Sequence, residues 1–74
     1  MILQHQRQRM YQQLCNQLRA DIESRRLKSG EKLTSERQMA RQYGVSRSTA
    51  RRAVQCLEEL RLVRITPQKG TYVL

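Results

Sequence analysis

Basic and hydroxyl side chains are concentrated in the stretch YGVSRSTARRAV, residues 43–54. It contains Arg47, Arg51 and Arg52 together with three Ser or Thr hydroxyls, and it contains no acid. Guanidinium groups bind planar anions through paired N–H donors, and hydroxyls beside free backbone N–H groups at a helix start can hold a phosphate. Two interpretations are therefore open: a solvated helix face that happens to be basic, or a surface that meets a polyanion.

The charge of the whole chain favours a polyanionic partner. Its 74 residues include 15 Lys plus Arg against 6 Asp plus Glu, a net charge of +9. Such a charge predicts attraction to nucleic acid or to an acidic membrane surface. The 38% apolar content suffices for one small core, but a chain of 74 residues leaves no room for an active-site cleft with its scaffold. We therefore expect a single non-enzymatic domain over residues 1–74, with residues 1–8 as a flexible tail.

No residue set in the sequence resembles a catalytic, cofactor or metal site. His5 stands alone among polar residues, and Cys15 and Cys56 lie far apart without the spacing of zinc ligands. The two cysteines are instead expected to be small, buried or half-buried hydrophobic residues. No run reaches the roughly 18 apolar residues of a membrane span, and the apolar start ends at Leu3, too early for a secretory signal. These patterns predict a cytoplasmic protein without a membrane partner.

Two helices are expected before the basic stretch. Apolar residues at steps of three and four predict the first helix, which should end near Leu27 before Gly30; these residues are Met10, Tyr11, Leu14, Cys15, Leu18 and Ile22. Ser35 and Gln38 have the spacing of a capping box, which predicts the start of the second helix. Gly44 should end it.

A third helix should begin at Ser46, directly after that turn. Two helices joined by a short turn containing glycine indicate a helix-turn-helix. The residues predicted to face the core are Ala50, Ala53, Val54, Leu57 and Leu60. The outward residues are Ser48, Arg51, Arg52 and Gln55, with Arg47 at the flank. The arginines of the opening stretch therefore project from the N-terminal half of this helix.

In residues 62–74 the apolar residues no longer follow a helical spacing, which predicts strands. Residues 62–66 and 71–74 are rich in β-branched and apolar residues, and Pro67-Gln68-Lys69-Gly70 lies between them. Three helices followed by a two-stranded hairpin, the wing, give a mainly α fold with a small β-hairpin. This is a winged helix-turn-helix.

Several spaced motifs resemble the DNA-binding domain of the GntR family of bacterial transcriptional regulators. They are GEKLTSER at residues 30–37, GVSRSTAR at residues 44–51 and KGTYV at residues 69–73, and the resemblance runs from about Tyr11 to Val73. Four positions depart from the usual family pattern, which has Pro at Thr34, Glu at Arg52, Gly at Arg61 and Gly at Gln68. The resemblance implies that the third helix enters the major groove of DNA and the wing a neighbouring minor groove.

The resemblance and the residue types together suggest roles for ten residues. Arg47 and Arg51 are candidates for base readout, because a guanidinium can bind O6 and N7 of guanine together. Lys69 and Gly70 would serve the wing in the minor groove. The remaining candidates would position the domain through phosphate, with Arg37 able to reach a base edge; they are Arg37, Ser46, Ser48, Thr49, Arg52 and Gln55. For Arg37 the alternative is a surface ion pair with Glu36 or Glu58, and for Arg52 and Gln55 it is plain exposure to solvent.

The resemblance also implies a larger assembly. The predicted partner is a double-stranded operator with two dyad-related half-sites, bound by a homodimer that a C-terminal domain absent from this chain would hold together. A small effector would bind outside this chain, and repression is the commoner outcome in the family. The alternative is a winged helix used for contact with protein or structured RNA, but the outward face of the third helix lacks a large apolar or aromatic anchor.

Overall fold

The fold is that of a winged helix-turn-helix, as the sequence predicts. The computed structural model describes residues 2–74, with side chains from Met10 onward. It contains α1 (Ile2–Glu23), α2 (Glu36–Tyr43), α3 (Arg47–Glu59), β1 (Val63–Thr66) and β2 (Gly70–Val73). The two strands are antiparallel, with register running from the pair Val63 and Val73 to the pair Thr66 and Gly70. Within the described residues, no helix has the length and apolar character to cross a membrane.

The first helix differs from the prediction at both ends. Its backbone is helical from Ile2, so it occupies most of the expected tail at residues 1–8; Met1 lies outside the described residues, and flexibility there stays a prediction. The predicted end near Leu27 is wrong, because α1 stops at Glu23. Arg25 takes a left-handed φ of 66°, and the Leu27 N–H donates to the Asp21 carbonyl at 3.0 Å. This turn brings Leu27 back against the core.

The connector, the segment from Gly30 to Leu33, runs along the outer edge of β2. The N–H groups of Gly30 and Leu33 donate to the carbonyls of Val73 and Thr71, each at 2.8 Å. The Val73 N–H donates to the Glu31 carbonyl at 2.9 Å. β2 is therefore hydrogen bonded on both edges, to β1 and to the connector, and the connector belongs to the wing rather than to α1.

The predicted capping residues determine the turn between α2 and α3. The Ser35 hydroxyl accepts the Gln38 N–H at 3.1 Å, and the Gln38 side chain accepts the Ser35 N–H at 3.4 Å. Gly44 ends α2 with a left-handed φ of 66°, a conformation that costs glycine little. Ser46 then caps α3 by accepting the Thr49 N–H at 3.0 Å. Two residues thus suffice to separate the last residue of α2 from the cap of α3.

The core forms where the three helices and the wing meet. Its buried residues are Leu14, Cys15, Leu18, Leu33, Met39, Ala40, Ala50, Ala53, Val54, Leu57, Val63 and Val73. The predicted burial of Leu60 is wrong, since this residue is 45% exposed. Leu60 caps the end of α3, and the chain turns at Arg61 with φ 62°, so helical periodicity no longer determines its direction. Met10, also assigned to the apolar face, is 38% exposed.

Candidate nucleic-acid interface

The outward face of α3 is polar and basic throughout its N-terminal half. Ala50 and Ala53 are fully buried on the opposite face, so the helix lies close to its neighbours. All the predicted outward residues are exposed, as is the flanking Arg47; the set is Arg47, Ser48, Arg51, Arg52 and Gln55. The predicted orientation of α3 is therefore correct.

Arg51 is held by a carboxylate from the preceding helix. Its Nε lies 3.1 Å and 3.4 Å from the two carboxylate oxygens of Glu36. The Arg51 side chain remains 59% exposed, so the pair contributes little to stability. Because Nε is the bonded atom, the four N–H donors of the two terminal nitrogens remain available for a bidentate contact. Glu36 thus fixes the direction of Arg51 without occupying the atoms that would read a base.

Arg37 follows Glu36 on α2 and is exposed. A surface ion pair with Glu36 or Glu58 was the alternative to a binding role for this residue. Both carboxylates have other partners: Glu36 accepts from Arg51, and Glu58 accepts the Ile65 N–H at 3.0 Å. Among the side chains that the structure describes, Arg37 forms no ion pair, which favours the binding interpretation.

The hydroxyls at the start of α3 differ in their availability. The Ser46 hydroxyl accepts the Thr49 N–H and donates to the Thr49 hydroxyl oxygen at 2.9 Å. Thr49 is half-buried, whereas Ser48 is exposed. Ser46 and Thr49 therefore build the helix start, whereas the exposed Ser48 hydroxyl takes no part in this cap.

Arg52 points to a different neighbour from Arg51. Its guanidinium lies over the ring of Tyr11 on α1, 4.8 Å from the ring centre, a cation–π contact. Consecutive residues of a helix differ by about 100° in direction, which explains why Arg51 meets α2 and Arg52 meets α1. Arg52 thus lies on the α1 side of the face, and Gln55, one turn after Arg51, lies between the directions of Arg51 and Arg52.

The wing turn carries Lys69 and Gly70. The Lys69 N–H donates to the Thr66 carbonyl at 3.1 Å, and the Tyr72 hydroxyl donates to the Lys69 carbonyl at 3.3 Å. Gln68, where the related pattern has glycine, still adopts a left-handed φ of 66°. The turn therefore keeps its shape with a side chain at this position, and the Lys69 side chain is exposed.

A basic cleft of about 700 Å³ separates the starts of α2 and α3 from the wing. Its charged lining consists of Lys32, Arg37, Arg47, Lys69 and the paired Glu36. The fold thus brings Arg37 and Arg47 together with the wing, although they lie far from Lys69 in sequence. Sequence reasoning missed Lys32 and the pairing of Glu36, because both depend on contacts between distant segments.

The described residues contain no group of three or more His, Cys, Asp or Glu that could hold a metal ion. Cys15 is buried and Cys56 half-buried, both as free thiols, as the sequence predicts. Burial, reinforced by the neighbouring Cys56 thiol, raises the pKa of Cys15 to about 12. The Cys15 thiol is therefore protonated at neutral pH and acts as a core residue.

Comparison with known proteins gives a consistent set of relatives. Residues 10–73 match the family model described as bacterial regulatory proteins, gntR family. The chain is 40% identical over 63 residues to an uncharacterized HTH-type transcriptional regulator, YjiR, of Escherichia coli. It is 34% identical over 64 residues to the mannosyl-D-glycerate transport/metabolism system repressor MngR of the same organism. These matches cover 85% and 86% of this chain but only 13% and 27% of the relatives.

Solved structures of similar fold include DNA complexes. The DNA-binding domain of AraR in complex with operator ORX1 superposes with a TM-score of 0.84 at 28% identity, covering 88% of this chain and 78% of that one. YtrA of Sulfolobus acidocaldarius, a GntR-family transcription factor, superposes with a TM-score of 0.76 at 33% identity, covering 86% and 53%. The similarity to both structures extends over nearly the whole chain described here.

Proposed function

Because the chain belongs to the GntR family of bacterial regulatory proteins, we propose that it recognises a double-stranded operator in a sequence-specific manner. In this proposal α3 enters the major groove and the wing meets the neighbouring minor groove. The observation that carries the proposal is the exposed face of α3, where Arg51 is held by Glu36 with its terminal nitrogens available. An oriented guanidinium at this place is suited to guanine.

Base readout falls to Arg47 and Arg51, one helical turn apart on α3. Each would present a guanidinium to O6 and N7 of a guanine, a contact that is worth about 1–3 kcal/mol of discrimination. Arg37 projects from the start of α2, lines the basic cleft together with Arg47, and would bind phosphate or a base edge. These three arginines give the domain its sequence preference and its register.

The other candidates would position the domain. Ser46, Ser48 and Thr49 surround the N-terminus of α3, where backbone N–H groups and the helix dipole favour a phosphate. Arg52, on the α1 side of the face, and Gln55, between Arg51 and Arg52, would also reach phosphate. Contacts of this type carry no sequence information, so their loss weakens binding to every duplex alike.

At the wing, Lys69 would enter the minor groove, and Gly70 would let the backbone approach closely. Minor grooves that are narrow have an enhanced negative potential, which attracts the exposed ammonium of Lys69. The wing would thus extend the contact beyond the half-site that α3 reads.

The proposal places this domain in a longer cytoplasmic regulator, since the chain spans 13% and 27% of the curated relatives it matches. The remainder would hold two copies together as a homodimer on dyad-related half-sites and would bind a small effector. Repression is the proposed outcome, in line with the name of MngR. The proposal assigns this chain no catalytic role.

Fluorescence anisotropy with duplexes tests the proposal. An operator sequence is first selected from a random duplex library, and a scrambled duplex of the same composition is the control. With about six neutralised phosphates, the slope of log K against log salt should be near −5. Absence of duplex binding at low salt, or equal binding to both duplexes, would refute the proposed function. Competition with structured RNA tests the alternative partner.

A further inference from the structure

Lys32 occupies a fixed place on the wing because the connector is paired with β2. Lys32 itself forms a β-bridge with Tyr72. Side chains alternate across such a segment: Leu33 is buried, with 6% of its surface exposed, whereas Lys32 is exposed. The backbone thus directs Lys32 to the exposed face of the wing, opposite to Leu33.

The side chain of Lys32 lies across Gly70. A Cβ atom at position 70 would come within 2.6 Å of the Lys32 Cε and 3.4 Å of its Nζ. Gly70 also has a φ of 125°, a conformation that other residues rarely adopt. The missing side chain at position 70 therefore leaves the space that the methylene chain of Lys32 fills, and Gly70 determines where the ammonium of Lys32 lies.

That ammonium adds to a cluster of like charges without a compensating acid. Lys32 lines the basic cleft with Arg37, Arg47 and Lys69. The one acidic residue of the lining, Glu36, accepts from Arg51, and within the described part of the chain Lys32 forms no ion pair. The Lys32 ammonium, held in this position by its methylene chain, can bind an anion that contacts the cleft and the wing at the same time.

We propose that Lys32, held against Gly70, binds a backbone phosphate of DNA at the junction between α3 and the wing. This inference rests on the proposed function, because it needs a duplex that contacts both elements. Lys32 would neutralise one phosphate and contribute no sequence preference. The competing interpretation is that the Lys32 stem only covers the wing and its ammonium stays in water.

Salt titrations of variants separate these interpretations. Lys32→Met keeps the length of the stem and removes the charge. The slope of log K against log salt should become shallower by about 0.9, with affinity near 0.1 M salt falling about 8-fold on both the selected operator and the scrambled duplex. Lys28→Met is the matched control, because Lys28 lies beside Ile22 and Leu74, away from the cleft; it should leave the slope unchanged.

A second pair of variants tests the role of Gly70. Gly70→Ala should displace the Lys32 stem and flatten the slope as Lys32→Met does, but it should not flatten the slope further in a Lys32→Ala background. Thermal melts of each variant confirm that folded protein is compared.

The outcomes distinguish this inference from the proposed function. Wild-type slope and affinity in Lys32→Met, while the unmodified chain binds both duplexes, would overturn the phosphate contact alone. An equal flattening of the salt slope by Gly70→Ala in the unmodified and the Lys32→Ala backgrounds would overturn the role of Gly70 in placing Lys32. Failure of the unmodified chain to bind any duplex would instead refute the proposed function.

Discussion

Replacing Glu36 by Gln should lower the specificity of DNA binding while leaving the fold intact. The variant removes the charge that holds Arg51 by its Nε at 3.1 Å and keeps the size of the side chain. Because Arg51 is 59% exposed, the lost ion pair should cost no more than about 1 kcal/mol of unfolding free energy. A comparable thermal melt is therefore expected.

Two opposing effects on DNA binding follow from the lost charge. A carboxylate about 10 Å from a phosphate repels it by roughly 0.4 kcal/mol in water, so its removal should strengthen binding to all duplexes about 2-fold. Releasing Arg51 costs about 0.5–1.5 kcal/mol of side-chain ordering in the specific complex, which is about 2- to 12-fold in affinity. The ratio of operator to scrambled binding should therefore fall about 2- to 12-fold.

The loss of specificity in Arg51→Ala is the upper limit for the loss expected in Glu36→Gln. Loss of a bidentate guanine contact costs about 1–3 kcal/mol, so the same ratio should fall about 5- to 140-fold. In the Arg51→Ala background, Glu36→Gln should have no further effect on the ratio, because the side chain that it orients is absent.

Competitive anisotropy with the selected operator and the scrambled duplex measures these ratios at one salt concentration. Glu23→Gln is the matched control, since Glu23 forms a similar exposed pair with Arg19 at 3.1 Å on α1. It changes the net charge equally and should leave the ratio unchanged. The reasoning fails if Glu36→Gln shifts both duplexes by the same factor, or if its effect on the ratio persists without Arg51.

Three further predictions concern the fold. Arg61 has a left-handed φ of 62°, which costs a residue with a side chain more than it costs glycine. Arg61→Gly should therefore raise the free energy of unfolding by roughly 1 kcal/mol, or Tm by about 4–8 °C. The control Arg41→Gly, in the right-handed interior of α2, should instead lower Tm. Ser46→Ala should cost about 0.5–2 kcal/mol in chemical denaturation through loss of the α3 cap, and an unchanged midpoint would contradict this. In thiol labelling at pH 8, Cys56 should react while Cys15, with a pKa of about 12, reacts only on unfolding; equal labelling rates in the folded domain would contradict the burial of Cys15.

The pKa of Cys15 also predicts a pH dependence. A folded-state pKa raised from 9.0 to about 12 means that the neutral thiol is favoured in the folded protein. The contribution of the neutral Cys15 thiol to the free energy of unfolding is fully present below pH 9. It is lost as the pH rises from about 9 towards 12. Denaturation midpoints across this range should fall less in Cys15→Ala than in the unmodified chain.

Short-range signals predicted the helix-turn-helix well. Ser35, Gly44 and Ser46 act within four residues of their own position, so the sequence reveals their roles. The predicted end of α1 was wrong because Gly30 is not the signal that stops the helix. Its N–H instead donates to the Val73 carbonyl, a partner that no local pattern indicates. Local signals thus determine where α2 and α3 begin, whereas α1 ends at a turn in which Arg25 has a left-handed φ of 66°, a conformation that its residue type does not indicate.

The sequence likewise predicted one part of the candidate site and missed another. Helical periodicity predicted the exposure of Arg47 and Arg51, because burial of Ala50 and Ala53 determines the direction of the whole helix. The partner of Arg51 lies 15 residues away, and the neighbour of Gly70 is Lys32. Such contacts follow from how α2 and the connector pack, and composition and spacing do not reveal them.

The position of β2 between β1 and the connector has a consequence for synthesis of the chain. Residues 70–73 supply the central strand, so neither of its partners can pair until those residues have left the ribosome. α2 and α3, whose hydrogen bonds are local, need no such delay. During translation α2 and α3 can therefore form while Lys32 and the wing are still unplaced, so the basic cleft between them is completed only after both helices.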